Sequence, residues 1–420
     1  MNSIDKCNPK PSSKVDLSLI KTIDGLDVSG KRALVRVDFN VPIQDGIVGD
    51  TTRIERVLPT IKKLLAGGAK VIVLSHLGRP KTGTMTDTSL KPITDKIAEL
   101  MRGTKVSFVG DCVGAEAKRG IDALQPGEIA VLENLRYHDG EKKNDPAFAK
   151  QLAALGDIYV NDAFSTAHRA HASVEAITHL LPSYAGLLMK AEIKALGSAL
   201  EHPERPVMAI AGGSKVSTKI AVLTNLTARM DALVLGGGMA STFLFAQGVE
   251  IGKSLCQPEA VPTVKAIMAR AKEFGCEIVL PTDFVVAKEL KAGAEWQVYD
   301  VGNIPPDSMI VDIGPKSVDD LKRRFAEMKT ILWNGPVGAF EYDPFGEGTF
   351  ALVREAARLA KAGKLTVIAG GGDTVAALNI TGTADDFTYV STAGGAFLEW
   401  LEGRELPAVA ALARAGAQKA

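Results

Sequence analysis

The chain is 420 residues long, 46% hydrophobic, and carries 49 basic residues against 49 acidic ones. That length exceeds what one hydrophobic core usually serves, so two domains of about 200 residues are expected, and the balanced charge argues against nucleic acid or a membrane surface as the main partner. No apolar run approaches the ~20 residues of a membrane helix, and the four cysteines (Cys7, Cys112, Cys256, Cys276) have neither Cys-x-x-Cys nor metal-ligand spacing, which reads as free thiols in a reducing, cytoplasmic setting.

Residues 1–15 are polar, with three lysines and no apolar stretch, so they do not read as a secretory signal. They lack arginine and contain Asp5, which argues against a mitochondrial leader, and a disordered extension is expected. Short runs rich in Val, Ile and Leu then follow at Ala33–Val37, Lys70–Leu74, Lys105–Val109, Glu128–Leu132 and Asp157–Val160, with helical stretches at Arg53–Leu65, Ile93–Met101 and Ala147–Leu155 between them. Such alternation is the signature of a parallel sheet covered on both faces, and in open sheets of that kind ligands bind beyond the carboxyl ends of the strands.

The strand ends of this half repeat one chemistry. They deliver Asp38 and Asn40, with Arg53 opening the next helix, then Ser75-His76-Leu77-Gly78-Arg79-Pro80, Glu133-Asn134-Leu135-Arg136, and Asn161 to His171 with Arg169. Singly, exposed Arg and His are commonplace. Together Arg53, Arg79, Arg136 and Arg169 suit an anion with more than one charged group, because guanidinium forks grip carboxylate and phosphate bidentately. The His168-x-x-His171 spacing has no third metal ligand nearby.

Gly186–Leu200 reads as one helix that stops at His202-Pro203, and it is taken as the boundary between residues 1–185 and 204–403, with 186–203 as a helical hinge. Beyond it the architecture repeats, with candidate strands at Val207–Ala211, Ala232–Leu235, Glu277–Leu280, Met309–Ile313, Thr330–Trp333 and Leu365–Ala369. The fold class expected is therefore α/β, with two doubly wound, Rossmann-like parallel-sheet domains. The loops of this half are glycine-rich: Gly212-Gly213-Ser214-Lys215, Gly236-Gly237-Gly238, Asn334-Gly335-Pro336 through Glu341, and Gly370-Gly371-Gly372-Asp373-Thr374. Each alone is a tight turn; several on one rim make a surface where a nucleotide can lie against backbone.

Val216–Met230 is read as a helix following the Gly212-Gly213 turn, which would put Lys215 and Lys219 on one face at an anion-binding helix end. Asp373, just before an apolar helix, is either its N-cap or a carboxylate for magnesium beside nucleotide phosphates. Gly394 and Gly395 open the last substantial helix, through close packing or as a cradle for charge on a transferred group. A short helix, Pro407–Arg414, nearly ends the chain. A nicotinamide-dependent oxidoreductase and an anion-binding protein without catalysis both stay open at this point.

The motifs Arg36-Val-Asp-Phe-Asn-Val-Pro42, Ser75-His-Leu-Gly-Arg-Pro80, Asp162-Ala-Phe-x-x-Ala-His-Arg-Ala-His171, Gly212-Gly-x-Lys-Val216, Trp333-Asn-Gly-Pro336 and Gly370-Gly-Gly-Asp-Thr374 together resemble the phosphoglycerate kinase family over nearly the whole chain. The resemblance implies that the first domain binds 3-phosphoglycerate or 1,3-bisphosphoglycerate through Asp38, Asn40, Arg53, His76, Leu77, Gly78, Arg79, Arg136 and Arg169. It implies that the second binds magnesium ADP or ATP through Gly213, Lys215, Lys219, Asn334, Glu341, Gly370, Gly371, Gly372, Asp373 and Thr374, with Asp373 on the metal and no tightly bound organic cofactor. Arg53, Lys215, Gly394 and Gly395 would then act on the moving phosphoryl. The resemblance also implies a monomer, and a C-terminal tail (about 404–420) that returns to the first domain. With the two substrates collected by different domains, both ligands together are expected to draw them shut, a change that solution scattering would register. Ser165 stands where the family often has Gly.

Overall fold

The computed structural model describes residues 15–80 and 88–418. The extension expected to be disordered lies, but for Val15, outside the described residues, and so does Cys7. Contacts divide the chain into two compact units: the described residues up to Ile193 together with those from Glu405 onward, and Lys194–Arg404.

In the first unit the elements run β1 (Arg32–Arg36), β2 (Ile43–Gln44), β3 (Ile47–Val48), α1 (Thr52–Ala66), β4 (Lys70–Leu74), α2 (Lys91–Leu100), β5 (Val106–Val109), α3 (Gly114–Asp122), β6 (Ile129–Leu132), α4 (Asp139–Lys142), α5 (Pro146–Ala153), β7 (Ile158–Asn161), β8 (Ser183–Ala185) and α6 (Leu187–Leu200). The division between units falls inside α6. Six strands form one parallel sheet in the order β5-β6-β4-β1-β7-β8, with Val35 opposite Val73 and Val160. Consecutive residues go to opposite faces: Val35, Val73, Val131 and Val160 join one core cluster, Leu34, Ile72, Ala130 and Tyr159 another. That is why these strands read as unbroken apolar runs. Chain order reverses about β1, whose neighbours are β4 on one side and β7 on the other, which opens a crevice at the carboxyl end of the β1/β7 pair.

The second unit continues with β9 (Val207–Ala211), α7 (Ile220–Leu226), β10 (Ala232–Leu235), α8 (Gly237–Ala246), α9 (Val261–Phe274), β11 (Glu277–Val279), β12 (Asp283–Ala287), β13 (Trp296–Asp300), β14 (Met309–Ile313), α10 (Pro315–Glu327), β15 (Thr330–Asn334), α11 (Glu347–Lys361), β16 (Thr366–Gly370), α12 (Gly372–Thr381), β17 (Tyr389–Ser391) and α13 (Gly394–Leu401). Its parallel sheet has the order β11-β10-β9-β15-β16-β17, the 3-2-1-4-5-6 winding of dinucleotide-binding folds. Here the reversal lies between β9 and β15.

Two sequence expectations are corrected here. Met309–Ile313 is a strand, but it belongs to a separate antiparallel sheet, β13-β12-β14. No helix lies between β12 and β14 to make the crossover a parallel pairing requires. The helix expected over Val216–Met230 is a 3₁₀ turn, Val216–Thr218, followed by α7. Lys219 interrupts it with φ −127°, and Lys215 is extended with φ −135°, ψ 122°, so the two lysines do not share a helix face. After α13 the chain rejoins the first unit as α14 (Pro407–Ala417), where Ala408 N–H donates to Ala167 O at 3.0 Å and Arg414 pairs with Glu175 at 2.8 Å. Among the described residues no helix is long and apolar enough to cross a membrane, and Cys112, Cys256 and Cys276 are unpaired.

Candidate active site

The crevice beyond β1 is organised around Asp38, which is 8% exposed. Its Oδ2 accepts from Arg53 Nη1 at 2.6 Å and from the Ser165 hydroxyl, which reaches over from the loop after β7. The Asn40 carbonyl accepts from the same Arg53 nitrogen at 3.2 Å, and the Asn40 side-chain oxygen accepts from Gly78 N–H at 2.8 Å. Gly78 has φ +60°, a conformation that favours glycine, and its carbonyl accepts from Arg136 Nη1 at 2.6 Å. Asn134 donates to the Leu77 and Thr88 carbonyls, both at 2.8 Å, locking the turn in which Leu77 and Gly78 sit. Seven of the residues expected at a triose site, Asp38, Asn40, Arg53, His76, Leu77, Gly78 and Arg136, are thus one connected cluster. Arg79 and Arg169 are exposed at its edge.

The electrostatics of this rim suit an anion. Burial pushes the Arg136 guanidinium down to about 10, and the positive charges of Arg36 and Arg169 push the same way. Crowded guanidiniums of that sort are relieved by a bound carboxylate or phosphate. Burial likewise holds His76 well below its ordinary value, with Arg36 and Arg136 adding to the effect, so its ring is neutral. Its Nδ1 lies 3.1 Å from Arg36 Nη2, and a guanidinium only donates. The ring proton is therefore on Nε2, 3.8 Å from Asp38 Oδ1.

Sequence reasoning missed the support beneath this cluster. Arg36 is fully buried; its Nε donates to Ser173 Oγ at 2.9 Å, and Ser173 Oγ donates to Glu141 Oε1 at 2.7 Å. Burial opposes ionisation of Glu141, yet His171, Arg36 and Ser173 together hold its carboxyl below the usual range. His171 Nδ1 lies 3.6 Å from Glu141, so this member of the His-x-x-His spacing faces a buried carboxylate, while His168 Nε2 accepts from Arg169 Nε at 3.1 Å. Arg36 and Ser173 stand 137 residues apart, a separation at which no local pattern signals contact.

In the second unit the crevice lies between the loops after β9 and β15. A Cβ at Gly212 would fall 1.7 Å from the Pro336 carbonyl oxygen, so only glycine lets these two loops meet. Gly236 and Gly238 are constrained in the same way by Val337 and Ser214, which gives the glycine run after β10 a packing reason. Lys219 Nζ donates to Gly212 O at 2.8 Å, Asn334 O at 3.1 Å and Asn334 Oδ1 at 2.6 Å. Reaching those three acceptors takes the Lys219 backbone out of the helix. Burial lowers its ammonium to about 8, and the negative charge of Asp373 opposes the fall. Asn334 Nδ2 donates to Gly370 O at 2.9 Å, and Thr374 Oγ1 accepts from Gly335 N–H at 2.7 Å, so the β15 and β16 loops are tied together.

Gly371 has φ +98° and is itself the cap of α12, which leaves Asp373 exposed in the helix's first turn and corrects the N-cap reading. Lys215 is exposed, Gly213 has φ +137°, and Glu341 is exposed in the Ala339–Tyr342 turn. Gly394 and Gly395 open α13 beyond β17, whose Ser391 pairs with Gly370. Among the described residues, the group dense enough to hold a metal is Asp111, Cys112 and His138. Hydrogen bonding explains it without a metal: Asp111 Oδ1 accepts from Cys112 N–H, Val113 N–H and His138 Nε2.

A family model described as phosphoglycerate kinase matches residues 23–404. A phosphoglycerate kinase of Sinorhizobium medicae is 58% identical over 390 residues, covering 93% of this chain and 98% of that relative. The solved phosphoglycerate kinase of Coxiella burnetii superposes with a TM-score of 0.88 at 40% identity, over 94% of this chain and 99% of that one. That of Pyrococcus horikoshii OT3 gives 0.77 at 29% identity, again over 94% and 99%. Two parallel sheets whose reversals carry a cationic crevice and a glycine-lined one, with these relatives along nearly the full length, place the chain in the phosphoglycerate kinase family.

Proposed function

We propose a division of labour for the transfer of the acyl phosphate of 1,3-bisphosphoglycerate to ADP, the glycolytic reaction of this family. Asp38, Asn40, Arg53, His76 to Arg79, Arg136 and Arg169 bind the triose. Lys219, Asn334 and Gly370 to Thr374 with Gly213 bind the nucleotide phosphates, and Glu341 meets the ribose. Arg53 and Lys215, with the N–H groups of Gly394 and Gly395, neutralise the phosphoryl group in flight. The observation that carries this reading is the contrast between the two crevices, one lined by guanidiniums and one by bare backbone and the half-buried ammonium of Lys219.

Such a transfer needs no covalent enzyme intermediate, only in-line placement and compensation of the equatorial oxygens. Magnesium fits the second crevice, because a single exposed carboxylate near Lys219 is the sparse protein contribution that ion takes when substrate phosphates supply other ligands. Asp373 would hold it, and the ion would offset phosphate charge. The acid and amide of the first crevice orient the triose, while Lys219 and Asn334 orient the nucleotide. A cytoplasmic monomer acting on these small molecules, without nucleic acid, completes the proposal.

Two measurements test it. Lys219, with its ammonium lowered to about 8, is partly neutral at pH 8 to 8.5, and nucleotide phosphates should draw a proton onto it. Calorimetric titration of ADP in buffers of different ionisation enthalpy should therefore show proton uptake in that range. Lys219→Arg, permanently charged, should show none; equal uptake in the variant removes Lys219 from the phosphate site. Asp373→Asn should raise the magnesium needed for half-maximal activity by at least about 10-fold. An unchanged magnesium requirement would exclude Asp373 as the ligand.

A further inference from the structure

We propose that Asp312, a residue of β14 in none of the assigned binding sets, is a positioning residue for nucleotide binding, its buried carboxylate fixing both ends of the loop that carries Glu341. The inference rests on the reading of Glu341 as the ribose contact. Asp312 is 2% exposed. Its Oδ2 accepts from Gly348 N–H, in the first turn of α11, at 2.8 Å, and its Oδ1 accepts from Ile313 N–H at 2.8 Å. At the other end of the loop Gly338 presses on the same group, since a Cβ there would lie 2.0 Å from Asp312 Oδ1. One carboxylate thus lies against Gly338, four residues beyond the end of β15, and binds Gly348 in the first turn of α11.

The neighbouring backbone completes the anchor. Ala339 N–H donates to Val311 O at 2.8 Å, and Tyr342 N–H closes the turn onto Ala339 O at 3.0 Å, with Glu341 between them. The pairing of β12 with β14 sets Asp312 opposite Val285 and Ile310 opposite Val286, so Val311 is an extra, unopposed residue. Such a bulge bends a strand and re-aims the residues beyond it. A buried acid would be expensive here if it only filled space, and two glycines are kept small to admit it.

The charge on this carboxylate then matters to the loop. Burial pushes Asp312 up to about 7, Gly348 and Ile313 N–H oppose that rise, and Glu347 of α11, the charged group facing it among the described residues, adds to it. Near neutral pH its two hydrogen bonds are strongest in the ionised form.

The test is steady-state kinetics of Asp312→Asn, Gly338→Ala and Glu341→Gln, singly and as the Asp312→Asn/Glu341→Gln pair, with ADP and the triose varied separately from pH 6 to 8.5. Asp312→Asn should raise KM for the nucleotide roughly 10-fold, the scale of one hydrogen bond to a charged group, and leave KM for the triose unchanged. Gly338→Ala, which pushes a methyl at the carboxylate without altering any charge, should reproduce that split should Asp312→Asn fail to fold. Glu341→Gln should add little on top of Asp312→Asn. In the wild type, nucleotide KM should climb as pH falls through 7, and that component should be missing in Asp312→Asn. If Glu341→Gln leaves nucleotide KM unchanged, the ribose assignment fails. If Glu341→Gln raises it while Asp312→Asn and Gly338→Ala do not, or if the paired effects simply multiply, the role given to Asp312 is overturned.

Discussion

Arg53→Ala is expected to lower kcat by roughly 10²- to 10³-fold, about 3 to 4 kcal/mol of transition-state stabilisation, while changing either KM far less. The guanidinium is already oriented before any ligand arrives, by Asp38 Oδ2 at 2.6 Å and the Asn40 carbonyl at 3.2 Å. A donor held in place in this way costs little reorganisation when charge develops in front of it. The ion pair itself should matter little to folding, because the Arg53 side chain is 37% exposed and solvent screens it. Arg53→Lys is the informative companion, retaining the charge and losing the planar fork; it should recover only part of the rate. Turnover near that of the wild type in Arg53→Ala would end its role in transfer.

Lys215→Ala should cost kcat a similar factor, roughly 10²- to 10³-fold, with no measurable change in melting temperature. The side chain is exposed, its backbone is extended, and the carbonyl it gives to Thr218 Oγ1 at 2.8 Å survives the substitution. Lys219 provides the contrast. Removing its ammonium strands three oxygens, of Gly212 and Asn334, that it now satisfies, so Lys219→Ala should lose stability and nucleotide affinity together. A Lys215→Ala protein that melts like the wild type and turns over like it would show that this lysine lies outside the chemistry.

How much of this was legible beforehand depended on the range of the interaction. The runs around Val35, Val73 and Val160 announced strands because both faces of the sheet are buried, and their loops carried most of the polar residues now seen together. Met309–Ile313 had the same local composition, and only the lack of a crossover helix separates it from the parallel set. β13 escaped notice because Trp296–Asp300 is largely solvent-facing and shows no apolar run. The apolar spacing of Val216, Leu223 and Leu226 argued for one helix, yet Lys219 leaves that path for carbonyls on a strand 115 residues away. The buried Arg36, Ser173 and Glu141 and the carboxylate of Asp312 were unreadable for the same reason, since their partners come from distant chain.

The reversal of strand order in each sheet separates where a ligand goes from which ligand it is. The cleft after β1 and β7, or after β9 and β15, is created by the path of the main chain, so it persists under almost any change of side chain that leaves the cores intact. Preference for a sugar acid or a purine nucleotide is written in a few exchangeable connections laid over that frame. A scaffold of this type can take on a new cargo by replacing loops, without paying for a new hollow.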